Sequence, residues 1–251
     1  MAAIVGIHGA YNEFWGPHEL KSQWLPALRD GLWHHGVEIA DSDFDVVFYG
    51  DLFRHDPETE KPKDVEAERA AIAEFLHNYT ADDLLGLLRL TEGASFFNRT
   101  IDLVAKIQDD PTFVKSVHDR VRAVVKPDTR VIVSHSMGTL VAYGAIAAHP
   151  EWNVHTLVTM GSPLGLPDTI AGLHPAPIDG KGQWPGSIKR WVNVAAVGDG
   201  ATRVPKLDPL FMGSIEDRLI DNGHRAHDAE GFFNSKPVGE AVASALKSFD
   251  A

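Results

Sequence analysis

Along this chain, short runs of β-branched and apolar residues alternate with longer segments in which apolar positions recur every three or four residues. The first pattern reads as strand and the second as helix. Strands are expected at Ala3 to Ile7, Asp45 to Tyr49, around Val131-Ile132-Val133, Val154 to Met160, Trp191 to Val197 and Ile215 to Ile220. A helix is expected from His18 to His35, because Leu20, Trp24, Leu25, Leu28 and Leu32 fall on one face. Another runs from Thr112 to Val125, with Val114, Val117, Val121 and Val124 aligned and Pro127 to stop it. Val238 to Phe249 closes the chain as a helix. The apolar runs show little polar alternation, as strands buried on both faces require. Strands alternating with helices then imply a mostly parallel sheet covered on both sides.

One stretch breaks this rhythm. From residue 52 to 126 the chain is several times longer than the dozen or so residues a crossover between parallel strands needs. Asp64 to Tyr79 reads as a helix with Ile72, Phe75, Leu76 and Tyr79 aligned. Beyond it come Leu84, Leu85, Leu87, Leu88 and Leu90, then Phe96 and Phe97, with apolar residues on more than one helical face. Two readings stand: ordinary helix core, or a helical lid in which Leu88 and Phe97 line a substrate pocket. The chain as a whole, 1–251, reads as one domain with this insertion inside it.

Composition narrows the function classes. The formal net charge is −12, which disfavours nucleic-acid binding and attraction to anionic lipid. There is no cysteine, so disulfides and thiol nucleophiles are excluded. No apolar run approaches the roughly 18 residues of a membrane span, and Met1 to Gly9 reads as strand rather than signal peptide. A cytoplasmic location and a small-molecule substrate are the expectations.

The candidate chemistry centres on Ser134-His135-Ser136-Met137-Gly138. It follows a β-branched strand and precedes Thr139-Leu140-Val141-Ala142-Tyr143, a helix start. A sharp strand-to-helix turn needs small residues on either side of its apex, because backbone and neighbouring Cβ atoms crowd there. Such a turn exposes the Ser136 oxygen above the sheet edge. The N–H of Met137, at the start of the helix, then becomes an oxyanion donor.

With this elbow the chain resembles the α/β-hydrolase superfamily, in its lipase- and esterase-like branch. Ser134 stands where the usual G-x-S-x-G has its first glycine. The resemblance implies an α/β fold with about six mostly parallel strands flanked by helices, lacking the antiparallel strands that many relatives carry in front. It also implies a triad in the chain order serine, acid, histidine. Asp199, in the Gly198-Asp199-Gly200 turn after the fifth strand, is the acid candidate, with Asp208 and Glu216 as fallbacks. His227, after the last strand, is the base candidate, with His224 as its rival. Relatives carry His-Gly after the first strand, which makes Ala10 the second oxyanion donor, with Gly9 and Tyr11 as its neighbours in register.

Other residues carry less. His8 and His135 are expected to brace their loops. Ser162 precedes Pro163, which lacks the N–H that should follow a nucleophile. The Gly/Pro-rich stretch from Gly165 to Gly186, with Trp184, is expected as one pocket wall, and Tyr11 and Leu164 are further pocket candidates. No His-Glu-x-x-His and no phosphate loop occurs, so neither metal nor cofactor is expected. The implied activity is hydrolysis of a carboxylic ester or thioester through an acyl-enzyme on Ser136. Acyl transfer by the same triad and a non-catalytic binding protein are the alternatives.

Overall fold

The computed structural model describes residues 2–54, 106–107 and 110–247. Within these, six strands form one sheet: β1 (Ile4–Ile7), β2 (Phe44–Val47), β3 (Val131–His135), β4 (Thr156–Met160), β5 (Arg190–Ala196) and β6 (Glu216–Ile220). Their spatial order is β2-β1-β3-β4-β5-β6, and every neighbouring pair is parallel. All six C-terminal ends therefore lie along one edge. This six-stranded parallel sheet agrees with the sheet expected from the sequence, without antiparallel strands ahead of it among the described residues.

The helices are α1 (Pro17–Trp33), α2 (Pro111–Val124), α3 (Gly138–Ala148), α4 (Pro167–Ala171), α5 (Ala229–Phe233) and α6 (Lys236–Lys247). Two apolar layers sandwich the sheet. On one side, Val5, Ile132, Leu157 and Trp191 pack with Val117 and Val121 of α2 and with Leu140, Val141 and Tyr143 of α3. On the other, Ile4, Val131, Val133, Val158 and Val192 pack with Trp24 and Leu28 of α1, Phe233 of α5 and Val242 of α6. Successive strand residues thus serve opposite layers, which explains the unbroken apolar runs. Each fully buried side chain of this size stabilises by roughly 1.5–3 kcal/mol.

Local chemistry fixes the ends. Asp110 caps α2, accepting from the N–H groups of Thr112 and Phe113 at 3.0 Å, and Pro111 occupies the first helical position. β2 ends at Val47, two residues before the expected Tyr49. The reason is the Tyr49 N–H, which donates to His8 Nε2 at 3.2 Å instead of extending the ladder. β6 is an edge strand, with Arg218 and Leu219 exposed. Its charged Glu216-Asp217-Arg218 run blunts that edge against further strand pairing. The expected helix over 64–79, and the segment holding Leu84, Leu88 and Phe97, lie outside the described residues. No described helix is long and apolar enough to cross a membrane.

Candidate active site

The turn after β3 places Ser136 at φ +55°, in the left-handed region that non-glycine residues seldom enter. Such a conformation costs about 1–2 kcal/mol and needs support around it. The Ser136 N–H donates to the Met160 carbonyl of β4 at 2.9 Å. Its carbonyl accepts from the Thr139 N–H at 2.9 Å and from the Thr139 hydroxyl at 2.7 Å. Both small flanking residues have a measurable reason. A Cβ on Gly138 would run into the His8 carbonyl oxygen, and would meet that of Ile7 at 2.6 Å. Ser134 replaces glycine without cost to satisfaction, because its buried hydroxyl donates to the Val158 carbonyl at 3.1 Å.

The β1 loop lies directly against the elbow. A Cβ on Gly9 would sit 2.7 Å from Ser136 Cβ and 3.2 Å from its Oγ. His8 braces this loop. Its Nε2 accepts from Tyr49, so the proton is on Nδ1, which donates to the Gly9 carbonyl at 2.7 Å. The Tyr49 hydroxyl bonds the His8 carbonyl, and the two rings stack at 4.1 Å. Burial pushes the His8 pKa down to about 4, so the ring is neutral near pH 7. The Asn12 amide donates to the Gly9 and Ala10 carbonyls at 3.2 and 3.0 Å, and Tyr11 takes φ +65°. At the other side of Ser136, Met137 precedes α3, where first-turn N–H groups have no partner inside the helix.

His227 reaches Ser136 from the loop beyond β6, with Nε2 3.0 Å from Oγ. Its Nδ1 lies 2.9 Å from Asp199 Oδ1. That approach is short but poorly aligned for an N–H···O bond. The imidazole nitrogen and the carboxylate are thus in contact without a formed hydrogen bond; loose alignment is common in sites without substrate. Asp199 follows β5 in a tight turn. Its Oδ1 accepts from the Ala201 N–H and its Oδ2 from the Thr202 hydroxyl, each at 2.9 Å. Burial of the carboxyl opposes ionisation. The His227 contact, the Thr202 hydroxyl and the Ala201 N–H together outweigh it and hold the pKa below the ordinary carboxylate range.

The structure thus brings Ser136, His227 and Asp199 into one chain of contacts, and sets the Gly9 turn against Ser136. The rivals are committed elsewhere. Ser162 is buried, accepts from the Leu164 N–H at 3.1 Å and bonds the Thr139 hydroxyl at 2.8 Å. Glu216 holds Arg190 at 2.6 and 2.9 Å, Asp208 accepts from the Ile215 N–H at 2.8 Å, and His224 is exposed. Two pocket assignments need correction. Leu164 is fully buried in the same apolar cluster as Met137 and Leu140, because the turn capped by Ser162 points it inward. Trp184 packs on Trp191, at the start of β5, and donates to the Ile188 carbonyl at 3.0 Å. It belongs to the layer beneath the sheet, far along β5 from Asp199. Leu88 and Phe97 lie outside the described residues.

One residue, and one partner of another, escaped sequence reasoning as parts of this site. Gly161 takes φ +55°, and a Cβ there would meet Asp199 Oδ2 at 3.0 Å and the His227 ring at 3.2 Å. A glycine after a strand was the available signal. His135, expected to brace its own loop, instead has its Nε2 2.8 Å from the His227 carbonyl oxygen, a partner the sequence did not announce. Separately, a cavity of about 280 Å³ lies between α2 and α3, lined in part by Val117, His118, Leu140, Tyr143 and Leu173; Ser136, Asp199 and His227 are not among its walls.

No family model matches this chain, and no curated protein matches it. Among solved structures, a dienelactone hydrolase from Anabaena variabilis ATCC 29413 aligns with 99% of this chain and 86% of that one, at 12% identity and a TM-score of 0.42.

Proposed function

We propose that the protein is a serine hydrolase that cleaves a carboxylic ester or thioester through an acyl-enzyme on Ser136. The observation that carries this reading is the contact chain Ser136 Oγ–His227 Nε2, His227 Nδ1–Asp199 Oδ1, at 3.0 and 2.9 Å. A serine hydroxyl is a poor nucleophile until a base takes its proton as it attacks. Here Oγ bonds to the acyl carbon while the proton passes to His227 Nε2. Asp199, held ionised, stabilises the imidazolium and keeps the neutral ring protonated on Nδ1. The carbonyl oxygen gains negative charge and is met by the N–H groups of Met137 and Ala10. The C–O or C–S bond to the leaving group then breaks, and that group takes the proton from Nε2. Water then gives a proton to the same nitrogen as its oxygen attacks the acyl carbon; the bond from that carbon to Ser136 Oγ breaks, Oγ takes the proton back from Nε2, and the acid is released.

The test is a panel of p-nitrophenyl esters of rising chain length with the full-length protein. Turnover is expected, with a burst of p-nitrophenol where deacylation is slow. Turnover unchanged in Ser136→Ala would overturn the reading. Adding a simple alcohol separates hydrolysis from acyl transfer by product: the reading expects free acid as the main product.

A further inference from the structure

We propose that His135 is a positioning residue for the base, with its ring N–H clamping the main-chain carbonyl of His227 and so fixing where that imidazole stands over Ser136. The inference rests on the reading of Ser136 and His227 as nucleophile and base.

The His227 segment has few anchors of its own. It runs from a short 3-10 turn (Gly223–Arg225) to α5, and its neighbours are held by local bonds. The Asp228 N–H donates to Arg225 at 3.0 Å, and the Asn222 amide reaches the Ala226 carbonyl only at 3.4 Å. His135 supplies the link from this segment to the sheet. It is the last residue of β3, it is paired with Met160 of β4, and it directly precedes Ser136. One residue therefore ties the base to the strand that carries the nucleophile.

The chemistry of the contact is one-directional. A carbonyl oxygen only accepts, so His135 Nε2 must carry the proton. The His135 ring is buried, tilted against the His227 ring at 4.7 Å and against Phe232 at 5.7 Å. Burial, and then the neighbouring His227, hold its pKa well below the usual histidine value, so it stays neutral. Neutrality matters, because a second positive ring at 4.7 Å would oppose the imidazolium that His227 becomes during turnover. A phenylalanine could fill this space but could not hold the carbonyl. A glutamine places its amide nitrogen near the Nε2 position, and an asparagine places it near Nδ1.

The test compares wild type, His135→Phe, His135→Gln and His135→Asn in the full chain. Thermal unfolding and kcat and KM on p-nitrophenyl acetate are read first. ¹⁵N NMR of the His227 ring, assigned by His227→Gln, follows. His135→Phe is expected to lower kcat about ten- to a hundredfold with KM within about twofold, since small misplacement of a reacting group has effects of that size. His135→Gln should recover kcat to within about threefold of wild type, and His135→Asn should not. In wild type the neutral His227 ring should show one tautomer, protonated on Nδ1, and His135→Phe should show an averaged mixture. Wild-type kcat in a folded His135→Phe, or a single His227 tautomer in it, would overturn the clamp. If His135→Phe does not fold, the Gln and Asn variants decide, and equal kcat in those two overturns it. Absence of any turnover in wild type would strike at the hydrolase reading instead, and the tautomer comparison would still judge the clamp.

Discussion

Ser136 stands where main chain meets main chain, whereas Asp199 and His227 stand where side chains reach across from separate loops. Around Ser136, the Gly9 and Gly138 positions leave no room for a Cβ, and the Ser136 N–H and carbonyl are both bonded to neighbouring elements. Around the proposed acid–base pair, the supports are single contacts: Thr202 and Ala201 on Asp199, His135 on the His227 carbonyl, and the clearance left by Gly161. The first half is specified by the packing of the fold, so damage there is damage to the fold. The second half can lose function while the sheet and its two apolar layers stay intact. A nucleophile in a strained turn needs the first kind of support, and a base that must accept and release a proton can work with the second.

The largest effect should come from the main-chain half. Gly138→Val would force the end of β1 away from the start of α3, against backbone that cannot yield. Soluble yield and the cooperative thermal transition should both collapse; a folded, active Gly138→Val would remove the distinction. Next comes the side-chain half. His227→Ala should lower kcat by roughly 10³-fold or more, with a melting temperature within a few degrees of wild type. His224→Ala should stay within about twofold, and the opposite ranking in steady-state kinetics would move the base. Asp199→Asn should be severe as well, because an amide favours the wrong tautomer of the ring.

A smaller effect is expected at Thr202. Thr202→Val removes one hydroxyl from Asp199 and leaves the other partners, so kcat should fall by about tenfold or less, as losing one hydrogen bond to a charged group implies. A fall as large as that of Asp199→Asn, with unfolding unchanged, would show that the acid depends on this one contact.

A separation that touches stability rather than turnover is in pH. The folded-state pKa of His8 is below its unfolded value, near 6.5, and lies at about 4. The unfolded chain therefore binds the proton first. The stability linked to His8 is complete above pH 6.5 and is lost as pH falls from there towards 4. At 1.36 kcal/mol per unit the loss is about 3 kcal/mol. His135, buried neutral, acts in the same direction. Urea unfolding at pH 7.5 and pH 4.5 should show this loss, and His8→Gln should reduce it. An equal loss in wild type and variant would assign the acid sensitivity to other groups.

Much of this was legible in the chain. Apolar runs foretold the inner strands β1, β3, β4 and β5, which are buried on both faces, whereas the edge strand β6 carries Glu216, Asp217 and Arg218 and is partly exposed. The nearness of Ser136, Asp199 and His227 could be read from their places after the parallel strands β3, β5 and β6, since all such ends share one edge. What could not be read depends on contacts across the sheet. β2 stops early because His8 captures the Tyr49 N–H, a bond between residues far apart in sequence. Gly161 and His135 matter through partners that no local pattern announces. The Gly/Pro-rich surroundings of Trp184, and the place of Leu164 just before them, do not say which way either side chain points.

The most direct test of the central claim is covalent. The full-length protein is treated with a fluorophosphonate, digested, and mapped by mass spectrometry. The account predicts a single adduct on Ser136, absent from Ser136→Ala and strongly slowed in His227→Ala, with both variants folded. An adduct on Ser134 or Ser162, or no adduct on folded wild-type protein, would contradict it.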